Sequence, residues 1–272
     1  MDKISWELGT SSSLYGNITK DDLKECKNWG IENIELCLFG EEMGSTFNEK
    51  ADWAYDVVRN IEEVGLKLWS VHLPFGPEWD ISTPYNDKRG VIIEDYKKYI
   101  GLVGNLKPVC AVIHGSSEPI LEDKREERLQ ICGQSLDILS DAAADEGLTL
   151  AVECLPRTCL GNCSSEIKTL LRFNKKLKVC CDVNHILLEN HEEFIQQIGS
   201  NIVTLHISDY DGIDERHWLP GKGVIDWNSV IDNLVKTGYS GPFMYELARD
   251  SKFTPEVMAK CWESLQHDYY SR

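Results

Sequence analysis

Thr149-Leu150-Ala151-Val152-Glu153 is an apolar run closed by an acid. It is too short for a helix and shows no alternation of apolar and polar residues. It therefore reads as a parallel strand buried on both faces, with a carboxylate where the strand ends. The same design returns in Lys178-Val179-Cys180-Cys181-Asp182. Working outward from these two, apolar runs fall at residues 4–8, 34–39, 66–73, 110–114, 149–153, 178–182, 202–207 and 242–247. Amphipathic segments separate them. Thr19-Lys20-Asp21-Asp22 is a helix start with acids in its first turn, and the pattern stops at Trp29-Gly30. Further helices are expected at residues 48–65, 87–106, 124–147, 164–173, 192–199, 226–238 and 254–267. The last opens Thr254-Pro255-Glu256, a cap followed by proline at the first helical position.

Eight strands alternating with eight helices predict an α/β protein. Parallel strands need crossover helices, and the count fits a closed (β/α)8 TIM barrel better than an open sheet. A single domain spanning residues 1–272 is expected, because no linker or low-complexity stretch interrupts the alternation. No G-x-G-x-x-G follows the first strand, and no P-loop or G-x-S-x-G elbow is present.

The chain carries 45 acidic and 28 basic residues, a formal net charge of −17. That balance argues against nucleic acid or an anionic membrane as partner, since each phosphate contact needs Lys or Arg. No apolar run approaches the ~20 residues that span a bilayer. The start, Met1-Asp2-Lys3-Ile4-Ser5-Trp6, has no secretory pattern, so a cytoplasmic location with reduced thiols is expected. Many cysteines sit in apolar runs and read as small core hydrophobes. Cys154, Cys159 and Cys163 are spaced unlike paired zinc hooks and read as loop or core thiols.

Active sites of such barrels lie at the C-terminal ends of the strands. The residues ending the runs are Glu35, His72, His114, Glu153, Asp182, His206 and Glu246, with the end of the first run unclear near Glu7-Leu8-Gly9. Buried acids and imidazoles are costly unless paired or metal-bound, so seven at one face point to a site. Three carboxylates and one imidazole suit one divalent ion, with Mn²⁺, Mg²⁺ or Co²⁺ favoured and Zn²⁺ open. Arg157 is a candidate for a substrate phosphate or carboxylate. Trp6, Phe39, Trp69, Phe75, Trp79 and Trp218 are candidate pocket walls. His191 and His267 read as surface histidines, and Glu35 as a residue that orients a neighbour.

The segments Val71-His72-Leu73-Pro74, Val112-Ile113-His114-Gly115, Leu150-Ala151-Val152-Glu153, Cys181-Asp182-Val183-Asn184-His185, Leu205-His206-Ile207-Ser208-Asp209, residues 220–227 and residues 241–246 together resemble the xylose isomerase-like TIM barrels. That is the sugar phosphate isomerase/epimerase superfamily, which also includes the type IV apurinic endonucleases. The resemblance implies a metal held by Glu153, Asp182, His206 and Glu246, with Glu153 and Glu246 as the proton-transferring pair. It implies a substrate contact for His185 and for Arg216, the latter at a longer spacing from the metal histidine. His72, His114 and His217 complete the expected substrate-binding set.

The expected function is a metal-dependent isomerase or epimerase of a small sugar, keto-sugar or sugar phosphate, working through an enediolate. A zinc phosphodiesterase of the endonuclease branch is the alternative. Its ligand set has counterparts in these same histidines and acids, with Glu215 where an Asp is expected. A dehydratase or lyase of inosose type needs the same base, acid and metal and stays open. The expected partner is a small polyhydroxylated substrate, with a homo-oligomer left open.

Overall fold

The computed structural model describes residues 4–40, 43–250 and 252–272. Eight strands form one parallel sheet in the order β7-β6-β5-β4-β3-β2-β1-β8. They are β1 Leu8–Ser11, β2 Ile31–Cys37, β3 Lys67–His72, β4 Cys110–Ile113, β5 Thr149–Glu153, β6 Lys178–Asp182, β7 Ile202–His206 and β8 Phe243–Tyr245. The two ends of that order meet. The Ile207 amide donates to the Met244 carbonyl at 2.8 Å, and the Glu246 amide to the Ile207 carbonyl at 3.1 Å. The expected single (β/α)8 TIM barrel is the observed fold.

The helices are α1 Lys20–Asn28, α2 Phe47–Val64, α3 Asn86–Leu106, α4 Arg125–Asp145, α5 Ser164–Leu171, α6 His191–Ile198, α7 Trp227–Thr237 and α8 Pro255–Tyr270. Their starts are chemically marked. Thr19 and Asp22 form a capping box on α1, and Thr254 accepts the Val257 amide before α8. No helix among the described residues is long and apolar enough to cross a membrane.

The first strand is displaced from its expected position at residues 4–8. Ile4 and Trp6 are buried, but they close the N-terminal end of the barrel. Trp6 donates its indole N–H to the Tyr239 carbonyl and stacks on Trp262. The strand itself is Leu-Gly-Thr-Ser, without the apolar bulk that marks its neighbours. A Cβ on Gly9 would stand 2.7 Å from the Met244 side chain, so the small residues of β1 make room for β8.

Ala151 and Cys180 lie two residues before Glu153 and Asp182, on the same strand faces, and cluster with Val112. The polar mouth of the barrel therefore rests on a dry layer. The other buried apolar residues lie largely in one continuous cluster that joins strands to helices.

Candidate active site at the barrel mouth

Glu153 ends β5, Asp182 ends β6, His206 ends β7, and Glu246 follows β8. Parallel register brings these four ends together: one donor atom from each lies within 4.8 Å of the other three. His206 Nδ1 stands 3.1 Å from Glu153 Oε1, 3.2 Å from Glu246 Oε2 and 3.9 Å from Asp182 Oδ2. Its other nitrogen, Nε2, meets Glu35 at 3.1 Å, and Glu35 in turn accepts the Ser70 hydroxyl at 2.7 Å. A ring whose Nε2–H is held by a carboxylate presents Nδ1 as its donor atom. Glu35 thus orients a neighbour, as expected.

Two oxygens test whether a cation fits. Asp182 Oδ2 and Glu246 Oε2 are buried and have no hydrogen-bond partner. A buried carboxylate oxygen without a donor is costly, and a cation among the four groups removes that cost. Burial raises the Asp182 carboxyl to about 7 against the pull of His185. At Glu246 and Glu153 burial also pushes upward, but the neighbouring imidazoles together outweigh it, His206 and His217 at Glu246 and His206, His114 and His185 at Glu153, and hold both carboxyls well below the usual range. The donor set, three carboxylates and one imidazole, suits a hard or borderline divalent ion.

Two further groups adjoin the first. His72 hydrogen-bonds through Nδ1 to the Leu73 carbonyl at 2.8 Å, which fixes its proton there, and Nε2 meets Glu153 Oε2 at 3.1 Å. His114 Nε2 meets the same oxygen at 3.0 Å. On the other side, His185 donates Nδ1–H to the Cys154 carbonyl at 3.0 Å and points Nε2 at Glu215 Oε2, 2.8 Å away. His217 completes that group with Glu215. Among the described residues, then, His72–His114–Glu153 and His185–Glu215–His217 are additional sets that could hold an ion.

The loop after β7 carries Glu215 and His217, and Asp209 holds it. The buried Asp209 carboxylate accepts the amides of Tyr210, Gly221 and Ile225 and the indole N–H of Trp227. A Cβ on Gly223 would fall 2.0 Å from the Tyr210 carbonyl oxygen, so only glycine fits there. Asp209 lies in a stretch quoted for its resemblance, yet nothing in the sequence says that one side chain gathers four donors.

The site opens into a cavity of about 420 Å³. Phe39 and Phe75 wall it, with Phe75 stacked on His114 at 4.4 Å and Phe39 edge-on to His72 at 5.1 Å. The other four expected wall residues are elsewhere. Trp6 is under the barrel, Trp69 faces a recess at its N-terminal end, Trp79 packs on Tyr96 and Tyr99, and Trp218 lies in a separate surface depression.

His72, His114, His185 and His217 line the cavity, and so does Arg157. Arg157 is not open toward a ligand: its guanidinium is bound to Glu118, Asp214 and Glu215. Arg216 does not reach the cavity. Its Nε holds Asp211 at 2.7 Å, and its side chain is 40% exposed. His267 is exposed as expected, but His191 is half-buried and donates Nε2–H to the Val183 carbonyl at 2.7 Å. Glu118 and Asp214 carried no signal in the sequence, being loop acids outside any pattern. All ten cysteines are free, and Cys154 is buried with its thiol against the Asp182 backbone.

An uncharacterized protein of Methanocaldococcus jannaschii is 26% identical over 232 residues, covering 85% of this chain and 88% of its own. A ketose 3-epimerase of Arthrobacter globiformis is 24% identical over 167 residues, 58% of this chain and 56% of the relative. The crystal structure of a D-tagatose 3-epimerase-like protein superposes with a TM-score of 0.82 at 19% identity, covering 97% of this chain and 98% of that one. The model of the xylose isomerase-like TIM barrel family matches residues 23–264, and the chain belongs to that family.

Proposed function

We propose that the protein is a divalent-cation-dependent isomerase or epimerase of a small sugar, moving a proton on a carbon next to a carbonyl. The observation that carries this reading is the glutamate pair. Glu153 and Glu246 approach one imidazole nitrogen, His206 Nδ1, from different strands at the floor of a walled cavity. Binding alone needs no such pair; proton removal and return do.

Glu153, Asp182, His206 and Glu246 would hold the ion, which when bound supplies Lewis acidity that polarises the carbonyl and acidifies the neighbouring C–H. Glu246 keeps its carboxylate ionised, since His206 and His217 together outweigh burial, and acts as the base. Glu153, itself ionised, would take up a proton from the His72 imidazolium 3.1 Å from its Oε2 and return it from the other side of the site, with His114 against the same oxygen. Delivery to the opposite face inverts the carbon; delivery to the adjacent carbon exchanges aldose and ketose. His185 and His217 line the cavity and would bind substrate hydroxyls, His185 by giving up its contact with Glu215, and Phe39 and Phe75 would exclude water. The activities named for the ketose 3-epimerase and the D-tagatose 3-epimerase-like protein support this reading.

The test is Glu246→Gln in manganese-loaded protein. Deuterium uptake from solvent at the substrate's α-carbon should fall about 10²–10⁴-fold with the fold intact. Undiminished exchange would remove Glu246 from the chemistry.

A second reading, zinc phosphodiester hydrolysis, has one observation in its favour: the two additional donor sets beside the first. Elemental analysis separates the two. One divalent ion per chain supports the isomerase, whereas three zinc ions with phosphodiester cleavage support the hydrolase. The net charge of −17 favours the first.

A further inference from the structure

We infer that the site is built for an uncharged polyhydroxy carbonyl compound and selects against its phosphate esters and other anions. The inference rests on the isomerase reading and adds the charge of the substrate to it.

Phosphate-binding sites offer lysine, arginine or unpaired backbone amides to the anion. Arg157 is the one arginine or lysine that lines this cavity among the described residues. Its guanidinium is already neutralised. Nε and Nη2 lie 2.9 and 2.8 Å from Glu118 Oε1, and Nη1 lies 2.7 Å from Asp214 Oδ1 and 2.8 Å from Glu215 Oε1. The three acids come from two other loops, after β4 and after β7. Arg157 therefore ties three loops across the mouth.

The backbone holds this arrangement. Arg157 has a φ of 51°, a left-handed conformation that is strained for a residue with a side chain. Asn162 Nδ2 donates to the Arg157 carbonyl at 2.6 Å and braces the turn. With four of its five N–H donors engaged, the guanidinium could meet an incoming phosphate fully only by giving up carboxylates, and the phosphate would lie beside all three.

Neighbouring arginines offer no substitute. Arg125 is bound to Glu166 and to the carbonyls of Thr158 and Cys159. Arg128 is bound to Asp80 and Ser82. Arg249 packs its guanidinium over Gly16, outside the cavity. Around the mouth stand the carboxylates of Glu118, Glu153, Asp182, Asp214, Glu215 and Glu246, against one guanidinium, the divalent ion of the isomerase reading and the imidazoles of His72, His185 and His206, each of which is already held by a carboxylate. Like charge placed beside like charge is one means of rejecting a wrong ligand.

The experiment compares manganese-loaded wild type with the double variant Glu118→Gln/Asp214→Asn, which releases two of the three acids from Arg157. The first arm titrates inorganic phosphate and reads the thermal midpoint. Half-saturation should require about tenfold less phosphate in the variant, because the freed guanidinium is a charge-assisted donor. Equal values in the two proteins overturn the inference.

The second arm follows solvent deuterium uptake into matched pairs of a ketose and its phosphate ester. Wild type should favour the free ketose by about tenfold or more, and the variant should narrow that ratio. Wild-type uptake into the ester as fast as into the ketose also overturns the inference. Uptake into neither partner, with the phosphate arm as expected, defeats the isomerase reading and leaves the charge selectivity standing. A clamp with a purely structural role would change stability and leave the ratio alone.

Discussion

Glu153 and Arg157 are four residues apart in the sequence and sit at the centres of two opposite electrostatic designs. Around Glu153 the groups ride on strand ends, lie in the interior, and leave carboxylate oxygens on Asp182 and Glu246 without a donor. Around Arg157 they ride on loops, and each of the three carboxylates finds the same guanidinium. The first cluster is short of a cation, and the second carries its own. A site that needs an ion must stay incomplete without it, whereas a clamp that only holds loops together is best complete.

Removing the ion should break the comparison most visibly. The first cluster should loosen on chelation and the second should not. At ion concentrations of a thousand times Kd, loading stabilises a folded chain by about 4 kcal/mol, read as a rise in Tm. The pH dependence has a definite sign. The folded-state pKa of Asp182 is raised to about 7 by burial, above the ordinary carboxylate value. Its contribution to stability is therefore full below the unfolded value and lost as pH rises through about 7. His185 and His206 are also raised, because their acidic neighbours outweigh burial. They and His72 lose stability with rising pH in the same way, while His114 and His191, lowered by burial, act in the opposite sense and offset part of it. The metal-free protein should become less stable from pH 5 to pH 8, while the loaded protein should resist that change. A Tm that rises over this range without metal would contradict the geometry.

Asp209→Ala comes next, because it sharpens the difference between strand-borne and loop-borne groups. Loss of a buried carboxylate that accepts four hydrogen bonds should cost about 3 kcal/mol, measured by urea unfolding. It should release the loop carrying Glu215 and His217, yet leave one ion bound at the strand ends.

Glu35→Gln is expected to be milder. The amide can still accept from one side but no longer fixes His206 as firmly, and metal affinity should fall about 10–100-fold by competition with a chelating dye. Unchanged affinity would mean that His206 needs no support. The smallest effect belongs to Asp211→Asn, which breaks the exposed pair with Arg216. It should cost under about 1 kcal/mol and leave the reaction rate unchanged.

Much of this protein was legible in its residues. The β5 and β6 runs coincide with the strands, and the helix caps at Thr19 and Thr254 are where they were expected. The reason is local: burial on both faces demands unbroken apolar runs, and a helix start demands a side-chain acceptor. Strand β1 escaped because its role is to make room, which small residues do without leaving a hydrophobic signal. Four of the six aromatics escaped for a related reason. Bulk says that a residue packs but not against what, so only Phe39 and Phe75 face the cavity.

The sequence by itself determined the barrel and the side chains that end its strands at the mouth, because alternation and strand ends are periodic properties of a chain. Tertiary structure alone decided how those side chains are paired. It turned His206 Nδ1 toward the acids by giving Nε2 to Glu35, and it made Arg157 a clamp by bringing Glu118, Asp214 and Glu215 to it from distant loops. Ion pairing depends on distances of a few ångströms between loops, and no spacing along the chain encodes those distances.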